Sequence, residues 1–257
     1  QPSHQRAWAD DVAQLLEAGI DGSHVHLKNV RNFEWRSETD YTPQWENRTY
    51  DLDRLRSADL VLSYWMGPHI AHTLVSFGFD GGERVVFSLE IRKERHESFS
   101  AIGGFFRQFE QILVAADERD IVRTRSNARG EAVYLYRLQM SQANVRALFL
   151  EYLHAANELR RAPRFYNTLT SNCTTIVFEL ARLIAPALPM DYRLLLSGHF
   201  AEYIYDLHGL TPGHRYAELQ ALGHINERAL ASDASGGDFS MSIRQGVPGV
   251  PADEVSP

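Results

Sequence analysis

Apolar positions fall into a series of short runs through the first half of the chain, some alternating with polar residues, and this pattern predicts β-strands. The predicted strands cover residues 24–30, 45–52, 59–65, 70–79, 84–92, 111–116 and 132–139. Turn sequences separate three of them, because Met66-Gly67-Pro68 follows one strand and Asp80-Gly81-Gly82 follows the next. Three consecutive strands joined by tight turns indicate an antiparallel sheet.

Helical spacing of apolar residues predicts helices over residues 8–19, 118–125 and 142–161, and further helical segments within 192–207. Ser141 and Pro163 mark the ends of the longest one. From about Ala229 the chain is rich in Ser, Gly, Asp and Pro and poor in apolar residues, which is typical of a flexible tail or linker. The pattern therefore predicts an α+β domain over residues 1–228, with an antiparallel sheet packed against helices, and a flexible tail over residues 229–257.

The single cysteine of the chain lies where another helix is expected to begin. Ser171 and Asn172 are good N-cap residues, and apolar residues three, four, seven and eleven positions after Cys173 continue its face of the helix. A thiol at a helix N-terminus lies near unpaired backbone N–H groups and the positive end of the helix dipole, which favour the thiolate and can hold an oxyanion. A buried cysteine can equally be a small core side chain, so the sequence leaves a nucleophile and a core residue as alternatives.

Cysteine catalysis needs a histidine that takes the proton of the thiol, and a polar group that orients the histidine. Polar residues interrupt the apolar pattern of two neighbouring predicted strands at His72, Ser76, Ser88 and Glu90. Of the eleven histidines, His72 is the best candidate because it lies inside an apolar strand, where a surface histidine is unexpected. His69, at the entry of the same strand, is the second candidate, and a hydrogen-bonded core histidine is the alternative interpretation of His72.

The candidate orienting group is Glu90, which lies on the strand predicted to pair with the strand of His72. A carboxylate between apolar neighbours is costly to bury without a partner, so it serves either His72 or Arg92, two residues further on the same face. Arg92 is also a candidate substrate-binding residue. Candidate substrate contacts or oxyanion donors near the cysteine are Tyr166, Asn167 and Asn172. Five aromatic residues either line an approach for acyl chains or belong to the ordinary core: Phe77, Phe79, Phe105, Phe106 and Phe109.

Composition removes several classes of function. The net charge of −7 over 257 residues gives no basic surface for nucleic acid. No run of about eighteen apolar residues occurs, so we expect no membrane span, and one cysteine cannot form an internal disulfide. The sequence begins at Gln1 without a methionine or a signal peptide, so we expect a trimmed chain whose membrane anchor lies outside it.

Four segments carry a resemblance to a known family. In order, residues 29–33 read Asn-Val-Arg-Asn-Phe, residues 72–77 read His-Thr-Leu-Val-Ser-Phe, residues 88–92 read Ser-Leu-Glu-Ile-Arg, and residues 166–175 contain Tyr-Asn and Asn-Cys-Thr-Thr. Together they resemble the Lnb N-terminal periplasmic domain family, from about Trp8 to beyond Leu207. That family is similar to circularly permuted NlpC/P60-like, papain-like thiol enzymes, in which the helix of the nucleophile follows the sheet, and it is named for a bacterial lipoprotein N-acyltransferase.

The resemblance implies that Cys173 is the nucleophile and His72 the base, while Glu90 as the third member rests more on the predicted strands. It implies a periplasmic acyltransferase at the inner membrane that takes an acyl chain from a phospholipid or lipid-modified protein as a thioester. The acyl chain then passes to the N-terminal amine of a lipoprotein, which needs no metal and no organic cofactor. The residues leave two rivals open, a cysteine peptidase or amidase acting on cell-wall peptides and a non-catalytic binding domain of the cell envelope.

Overall fold

The computed structural model describes residues 3–97, 109–166 and 172–257, and within these residues the chain forms an eight-stranded sheet with helices on both faces. The strands are β1 (Glu17–Asp21), β2 (His24–Arg31), β3 (Glu34–Trp35), β4 (Tyr41–Thr42), β5 (Trp45–Asp51), β6 (Leu55–Tyr64), β7 (Ala71–Phe79), β8 (Arg84–Arg92), β9 (Glu110–Ala116) and β10 (Ala132–Arg137). The α-helices are α1 (Glu118–Arg123), α2 (Gln142–Arg161), α3 (Cys173–Ile184), α4 (Phe200–Asp206), α5 (Tyr216–Gly223), α6 (Asn226–Ser235) and α7 (Phe239–Arg244). Short 3₁₀ helices cover Asp10–Val12, Leu52–Arg54, Tyr192–Leu194, Ser197–His199 and Ala252–Glu254, and a π-helical turn covers Thr124–Ala128.

The strands of the main sheet follow the order β1-β2-β9-β8-β7-β6-β10, and β5 also pairs with β2. Neighbouring strands are antiparallel except for β2 and β9, while β3 and β4 form a separate two-stranded sheet. The predicted α+β class, with a mostly antiparallel sheet packed against helices, is therefore confirmed.

Alternation along β7 divides the interior into two cores. Val75 and Phe77 lie on the face that packs against α2 and α3, whereas Leu74 lies on the face covered by α1, α6 and α7. Successive side chains of a strand point to opposite faces, so a strand that is buried at nearly every position serves both cores. The burial of β7 on both faces is thus explained by helices on both sides of the sheet.

The register of β7 and β8 determines which polar side chains meet. Leu74 pairs with Ser88, and continuing this antiparallel register by two residues on each strand places His72 opposite Glu90. Directly opposed residues of an antiparallel pair have neighbouring side chains on one face of the sheet. The two polar interruptions noted in the sequence therefore lie side by side, at the end of the sheet where β7 begins and β8 ends.

The predicted helix over residues 8–19 is wrong. The structure has only the 3₁₀ turn Asp10–Val12 there, followed by strand β1. The Arg92 guanidinium donates from Nε to the carbonyl oxygen of Val12 at 2.9 Å and from Nη2 to that of Ala13 at 3.0 Å. Because these carbonyl groups are bound by a distant side chain, tertiary contacts override the helical spacing of the segment.

The C-terminal residues also differ from the predicted flexible tail. Helices α6 and α7 occupy most of the stretch from residue 226 to 244, and Ile243 and Arg244 are fully buried. Arg244 of α7 donates to Asp59 on β6 and to Glu118 on α1. The low apolar content misled the prediction, because a few apolar residues and one buried ion-pair network dock this segment.

Candidate active site

The cysteine lies on the first turn of α3, as the sequence predicts. Asn172 is the N-cap, and its Oδ1 accepts hydrogen bonds from the backbone N–H groups of Thr174 and Thr175, both at 2.9 Å. The Thr175 hydroxyl in turn accepts from the Asn172 backbone N–H at 2.8 Å, which completes a capping box. Asn172 therefore fixes the start of the helix that carries Cys173, whereas the alternative cap Ser171 lies outside the described residues.

The N-terminus of α3 is docked on the beginning of β7. The hydroxyls of Thr73 and Thr174 are hydrogen bonded at 3.0 Å, and the Cys173 Sγ lies 3.9 Å from the carbonyl oxygen of Ala71. The cysteine is only 6% exposed. These contacts on either side of His72 hold the thiol against the strand that carries the histidine.

His72 is held by two side chains of β8. Its Nε2 lies 2.6 Å from the Ser88 Oγ and 3.3 Å from the Glu90 Oε1, and the Ser88 hydroxyl donates to the same Glu90 oxygen at 2.7 Å. Because Nε2 is occupied by this pair, Nδ1 is the ring nitrogen left to face the thiol. An Nε2–H that donates to Ser88 and Glu90 leaves Nδ1 as an acceptor for the proton of the thiol.

The electrostatics of the pair favour a thiolate beside an imidazolium. Burial acts to raise the pKa of Cys173, but the charge and hydrogen bond of His72 outweigh it and lower the pKa to about 7. Burial and the Arg125 cation act to lower the pKa of His72, whereas Glu90 and the thiolate raise it, and the net shift is upward. The Glu90 pKa stays well below its usual range, since His72, Arg125 and Arg31 outweigh its burial. The carboxylate thus remains charged where the imidazolium needs it.

Arg125 is a further member of this group. It lies on the π-helical turn that follows α1, is buried, and forms an ion pair from Nη2 to the Glu90 Oε1 at 3.7 Å. Its Nη1 donates to the Glu131 Oε2 at 3.1 Å, and the Ser63 hydroxyl donates to the same oxygen at 2.5 Å. A chain of polar contacts therefore runs from Ser63 on β6 to the carboxylate that orients His72.

Tyr166 lies beside the cysteine, as expected for a candidate oxyanion donor. The thiolate and the backbone N–H of Cys173 both act on the pKa of its hydroxyl, so the phenol and the thiol are neighbours. Burial and the charge of the thiolate raise the pKa of Tyr166 well above its ordinary value, so the phenol stays protonated. A protonated phenol next to a helix N-terminal N–H group can donate to an oxyanion that forms on a carbon bound to Cys173.

One comparison with known proteins matches this chain. The family model of the Lnb N-terminal periplasmic domain matches residues 41–198, more than half of the chain. The chain belongs to this family. Searches of curated proteins and of solved structures found no match. Among the described residues, no helix is long and apolar enough to cross a lipid bilayer.

Membership of the Lnb N-terminal periplasmic domain family identifies the chain as a periplasmic domain of the bacterial cell envelope. The matched region contains His72, Glu90, Tyr166 and Cys173, and it excludes the segment 29–33 that also carried the resemblance. The catalytic roles of these residues stay predictions, but the structure brings all four into one group.

One candidate for substrate binding, Arg92, has other contacts. Arg92 is buried, donates to the backbone near residue 12 and lies over the Trp8 ring at 4.4 Å, so its guanidinium serves the N-terminal segment rather than the cysteine. Of the two partners that the sequence left open for Glu90, the structure shows His72 and not Arg92, since the described partners of that carboxylate are His72, Ser88 and Arg125. Asn167 lies outside the described residues.

The contacts of His69 and of the aromatic candidates show that they lie apart from the cysteine. His69 does not join the cysteine, because its Nδ1 lies 2.7 Å from the Nε2 of His199. Phe77 and Phe79 belong to the core, where both rings contact Phe149 edge to face. Phe109 is buried as well, and Phe105 and Phe106 lie outside the described residues.

Sequence reasoning missed Arg125, which it placed at the end of the predicted helix over residues 118–125 without a role in the site. The signal that points to it is Glu90. The histidine beside this buried carboxylate must be neutral in part of the catalytic cycle, so the carboxylate needs a permanent cation as a second partner. Ser88 was noted as a polar interruption but received no role. Both residues become visible only when the strand register and the π-turn are known.

We expect Arg125→Gln to slow the reaction of Cys173 by about tenfold or more, because Glu90 loses its second anchor and His72 its fixed orientation. Loss of the cation also raises the pKa of His72, since Arg125 opposes protonation of that ring. The measurement is the rate of Cys173 alkylation against pH, in which the limb that reports His72 moves to higher pH.

The matched control for this prediction is Arg123→Gln, which removes an arginine of the same helical segment that pairs with Asp233 instead. Arg125→Lys keeps a cation near Glu90 and is expected to retain the position of the His72 limb. If Arg125→Gln and Arg123→Gln give the same pH profile, Arg125 has no influence on the site.

Proposed function

We propose that this domain is a cysteine-dependent acyltransferase, which moves an acyl chain through a Cys173 thioester to the N-terminal amine of a bacterial lipoprotein. The observation that carries the proposal is the thiol at the N-terminus of α3, whose pKa is lowered to about 7 by a histidine that Glu90 orients. A poised thiolate with an adjacent acid–base group is the usual arrangement for acyl transfer. The family supports the envelope location, and the choice of a lipoprotein as acceptor rests on the resemblance.

In the first half-reaction, the Cys173 thiolate attacks the carbonyl carbon of an ester in a phospholipid or lipid-modified protein, and a C–S bond forms. The Cys173 backbone N–H and the Tyr166 hydroxyl are the donors near the resulting oxyanion. When the C–O bond to the alcohol breaks, the His72 imidazolium gives its proton to the leaving oxygen. The products are an alcohol, which leaves, and an acyl-thioester on Cys173.

In the second half-reaction, a neutral α-amine attacks the thioester carbonyl and a C–N bond forms. Neutral His72 takes the proton of the amine, while Glu90 stabilises the imidazolium that results. The C–S bond then breaks, an amide leaves, and the thiolate–imidazolium pair is restored. Water in place of the amine would make the same residues a hydrolase, so exclusion of water decides between the two outcomes.

We further propose that the fold is the circularly permuted papain-like arrangement of NlpC/P60-like enzymes. Two features support it, since strands β7 and β8 carry the histidine and the carboxylate and precede the cysteine helix α3 in the chain. A papain-like site needs a nucleophile on a helix N-terminus facing a histidine on a strand, and this order supplies both after permutation. The full-length protein is proposed to work at the periplasmic face of the inner membrane.

Intact-mass spectrometry tests the proposal. After incubation with a diacylated lipopeptide in detergent, the protein is expected to gain the mass of one acyl chain, and hydroxylamine should remove it. Cys173→Ala should show no gain while keeping the circular dichroism spectrum of the wild type. Addition of a peptide with a free N-terminal amine should convert the adduct to an N-acyl peptide.

Other products would point elsewhere. Release of free fatty acid with no N-acyl peptide would make the domain a hydrolase. Turnover of cell-wall peptides without any acyl adduct would favour the peptidase or amidase. Absence of every product, together with a Cys173 of ordinary thiol reactivity, would leave the non-catalytic binding domain.

A further inference from the structure

Exposed large apolar side chains are concentrated on two short segments next to the candidate active site. Of the ten such residues in the described part of the chain, seven lie at positions 65–66 and 183–196. We call these seven the apolar rim: Trp65, Met66, Leu183, Met190, Tyr192, Leu195 and Leu196. Their exposed fractions range from 38% for Leu196 to 73% for Met190. Single exposed apolar residues are ordinary, whereas a concentration of them marks an interaction site.

The two segments of the rim are joined at their bases. The Gly198 N–H donates to the carbonyl oxygen of His69 at 2.9 Å, and the Tyr64 hydroxyl donates to that of Gly198 at 2.5 Å. A Cβ atom at residue 198 would overlap the backbone of Pro68, so this close approach requires glycine. The loop after β6 and the segment before α4 are therefore held against each other as one platform.

This platform adjoins the nucleophile. The backbone N–H of Ala71 donates to the Ser197 Oγ at 2.9 Å, while the carbonyl oxygen of the same residue lies 3.9 Å from the Cys173 Sγ. The rim segment after α3 also packs on that helix through the turn Tyr192–Leu194. A surface bound by the rim thus lies close to the strand residue that contacts Cys173.

The charge of the rim differs from that of the whole chain. Residues 62–73 contain no Asp or Glu, and residues 181–201 contain two Arg and one Asp. The acid is Asp191, which accepts two hydrogen bonds from Arg193 at 2.9 Å. Arg193 also donates to Asp206 just beyond this segment, so the rim is close to neutral. The rest of the chain carries the excess of acidic residues behind the net charge of −7. This end of the molecule can therefore approach a negatively charged surface without the repulsion that the remainder would meet.

We propose that the apolar rim docks on the surface of an anionic phospholipid bilayer and so presents the Cys173 site to lipid. The inference rests on the proposed function, because an enzyme that takes acyl chains from lipids must meet them at the bilayer surface. Trp and Tyr favour the level of the headgroups, and Leu and Met bury apolar area just below it. The near-neutral charge of these two segments permits approach to an anionic surface, and their exposed Trp, Tyr, Met and Leu side chains fit a bilayer rather than a purely acidic protein surface.

Vesicle co-sedimentation tests the docking, with vesicles of phosphatidylglycerol mixed with phosphatidylethanolamine and, for comparison, of phosphatidylcholine alone. The wild-type chain is expected to bind the anionic vesicles. The double variant Leu195→Ser with Leu196→Ser should bind them about tenfold more weakly or worse, because two apolar side chains no longer leave water. The matched control, Leu222→Ser with Leu230→Ser, changes two exposed leucines away from the rim and should bind like the wild type.

Tryptophan fluorescence gives an independent measurement. Trp8 and Trp35 are buried and Trp45 is half-buried, so Trp65 is the exposed one of the four tryptophans. Anionic vesicles should shift the emission of the wild type to shorter wavelength, and Trp65→Phe should abolish the shift. A shift that persists in Trp65→Phe would contradict insertion of the rim.

Several results would overturn the docking proposal. Equal vesicle binding by the rim and control variants, or no binding by the wild type, would remove it, and equal binding to phosphatidylcholine would remove the preference for anionic lipid. Self-association of the wild type that the rim variant lacks would assign the rim to a second copy of the chain. Thioester formation with lipopeptide in detergent is independent of vesicles. Its persistence without vesicle binding would leave the proposed function standing, and vesicle binding without any thioester would leave only the docking.

Discussion

Replacing His72 with glutamine is expected to reduce the alkylation rate of Cys173 at pH 6 by about a hundredfold. In the wild type the thiol has a pKa of about 7, so about one tenth of it is thiolate at that pH. Without the imidazolium, only the hydrogen bonds of Thr73 and Thr174 oppose burial, so the pKa of the thiol returns towards its ordinary value of 9.0. Iodoacetamide kinetics between pH 5 and pH 10 measure this shift, and at pH 10 the two proteins should converge.

The same substitution should reduce acyl transfer further than alkylation, because His72 also moves the proton of the leaving group and of the amine. General acid–base catalysis contributes about 10²–10⁴-fold, so the loss is expected at every pH. His69→Gln is the matched control, since that histidine pairs with His199 outside the site and should leave the profile unchanged. An unchanged profile in His72→Gln would mean that Cys173 is a core thiol of ordinary acidity.

The sequence located the centre of the site because local signals coincide there. An N-cap residue before an apolar helical pattern marks the start of α3, and period-two alternation marks the strands that carry His72 and Glu90. Tight turns then fix which strands are neighbours. Each of these signals acts over a few residues, which is why a single sequence is enough to read them.

The parts that sequence reasoning missed depend on contacts between distant residues. Arg125 reaches Glu90 only because the π-turn after α1 lies beside β8, and no local pattern shows that approach. The predicted helix over residues 8–19 failed because Arg92, about eighty positions away, binds its backbone carbonyl groups. Local propensity is a weak prior when a buried guanidinium offers the backbone another partner.

Contacts with distant residues also determine the structure of the C-terminal segment, residues 229–257. Its composition is that of a flexible tail, yet Arg244 is fully buried and joins two acids. The guanidinium donates to both Glu118 oxygens, at 2.5 and 2.7 Å, and to the Asp59 Oδ2 at 3.0 Å. Asp59 also binds Arg84 and Arg137, so the network ties α7 to β6, β8 and β10. Arg244 therefore links the last α-helix to three strands of the sheet, beside the apolar contacts of Phe239 and Ile243.

Arg244→Met is accordingly expected to lower the free energy of unfolding by about 3–5 kcal/mol, because Glu118 is left as a buried charge without its partner. Urea unfolding followed by circular dichroism measures the change. Arg119→Met, which removes an exposed arginine paired with Glu34, should cost less than about 1 kcal/mol. Adding Glu118→Gln to Arg244→Met removes the stranded charge and should recover part of the loss.

The contribution of the Glu118–Arg244 pair to the free energy of unfolding should also fall as the pH falls. Arg244 outweighs burial and lowers the pKa of Glu118 to about 2 from an ordinary 4.5, so the carboxylate stabilises the fold fully above about pH 4.5. That contribution is lost as the pH falls from 4.5 towards 2, and Glu118→Gln should show a smaller loss over this range.

If Arg244→Met and the wild type unfold at the same urea concentration at pH 7, α7 is not part of the cooperative fold. The flexible tail read from composition would then be the correct description, and the buried network would contribute nothing to stability.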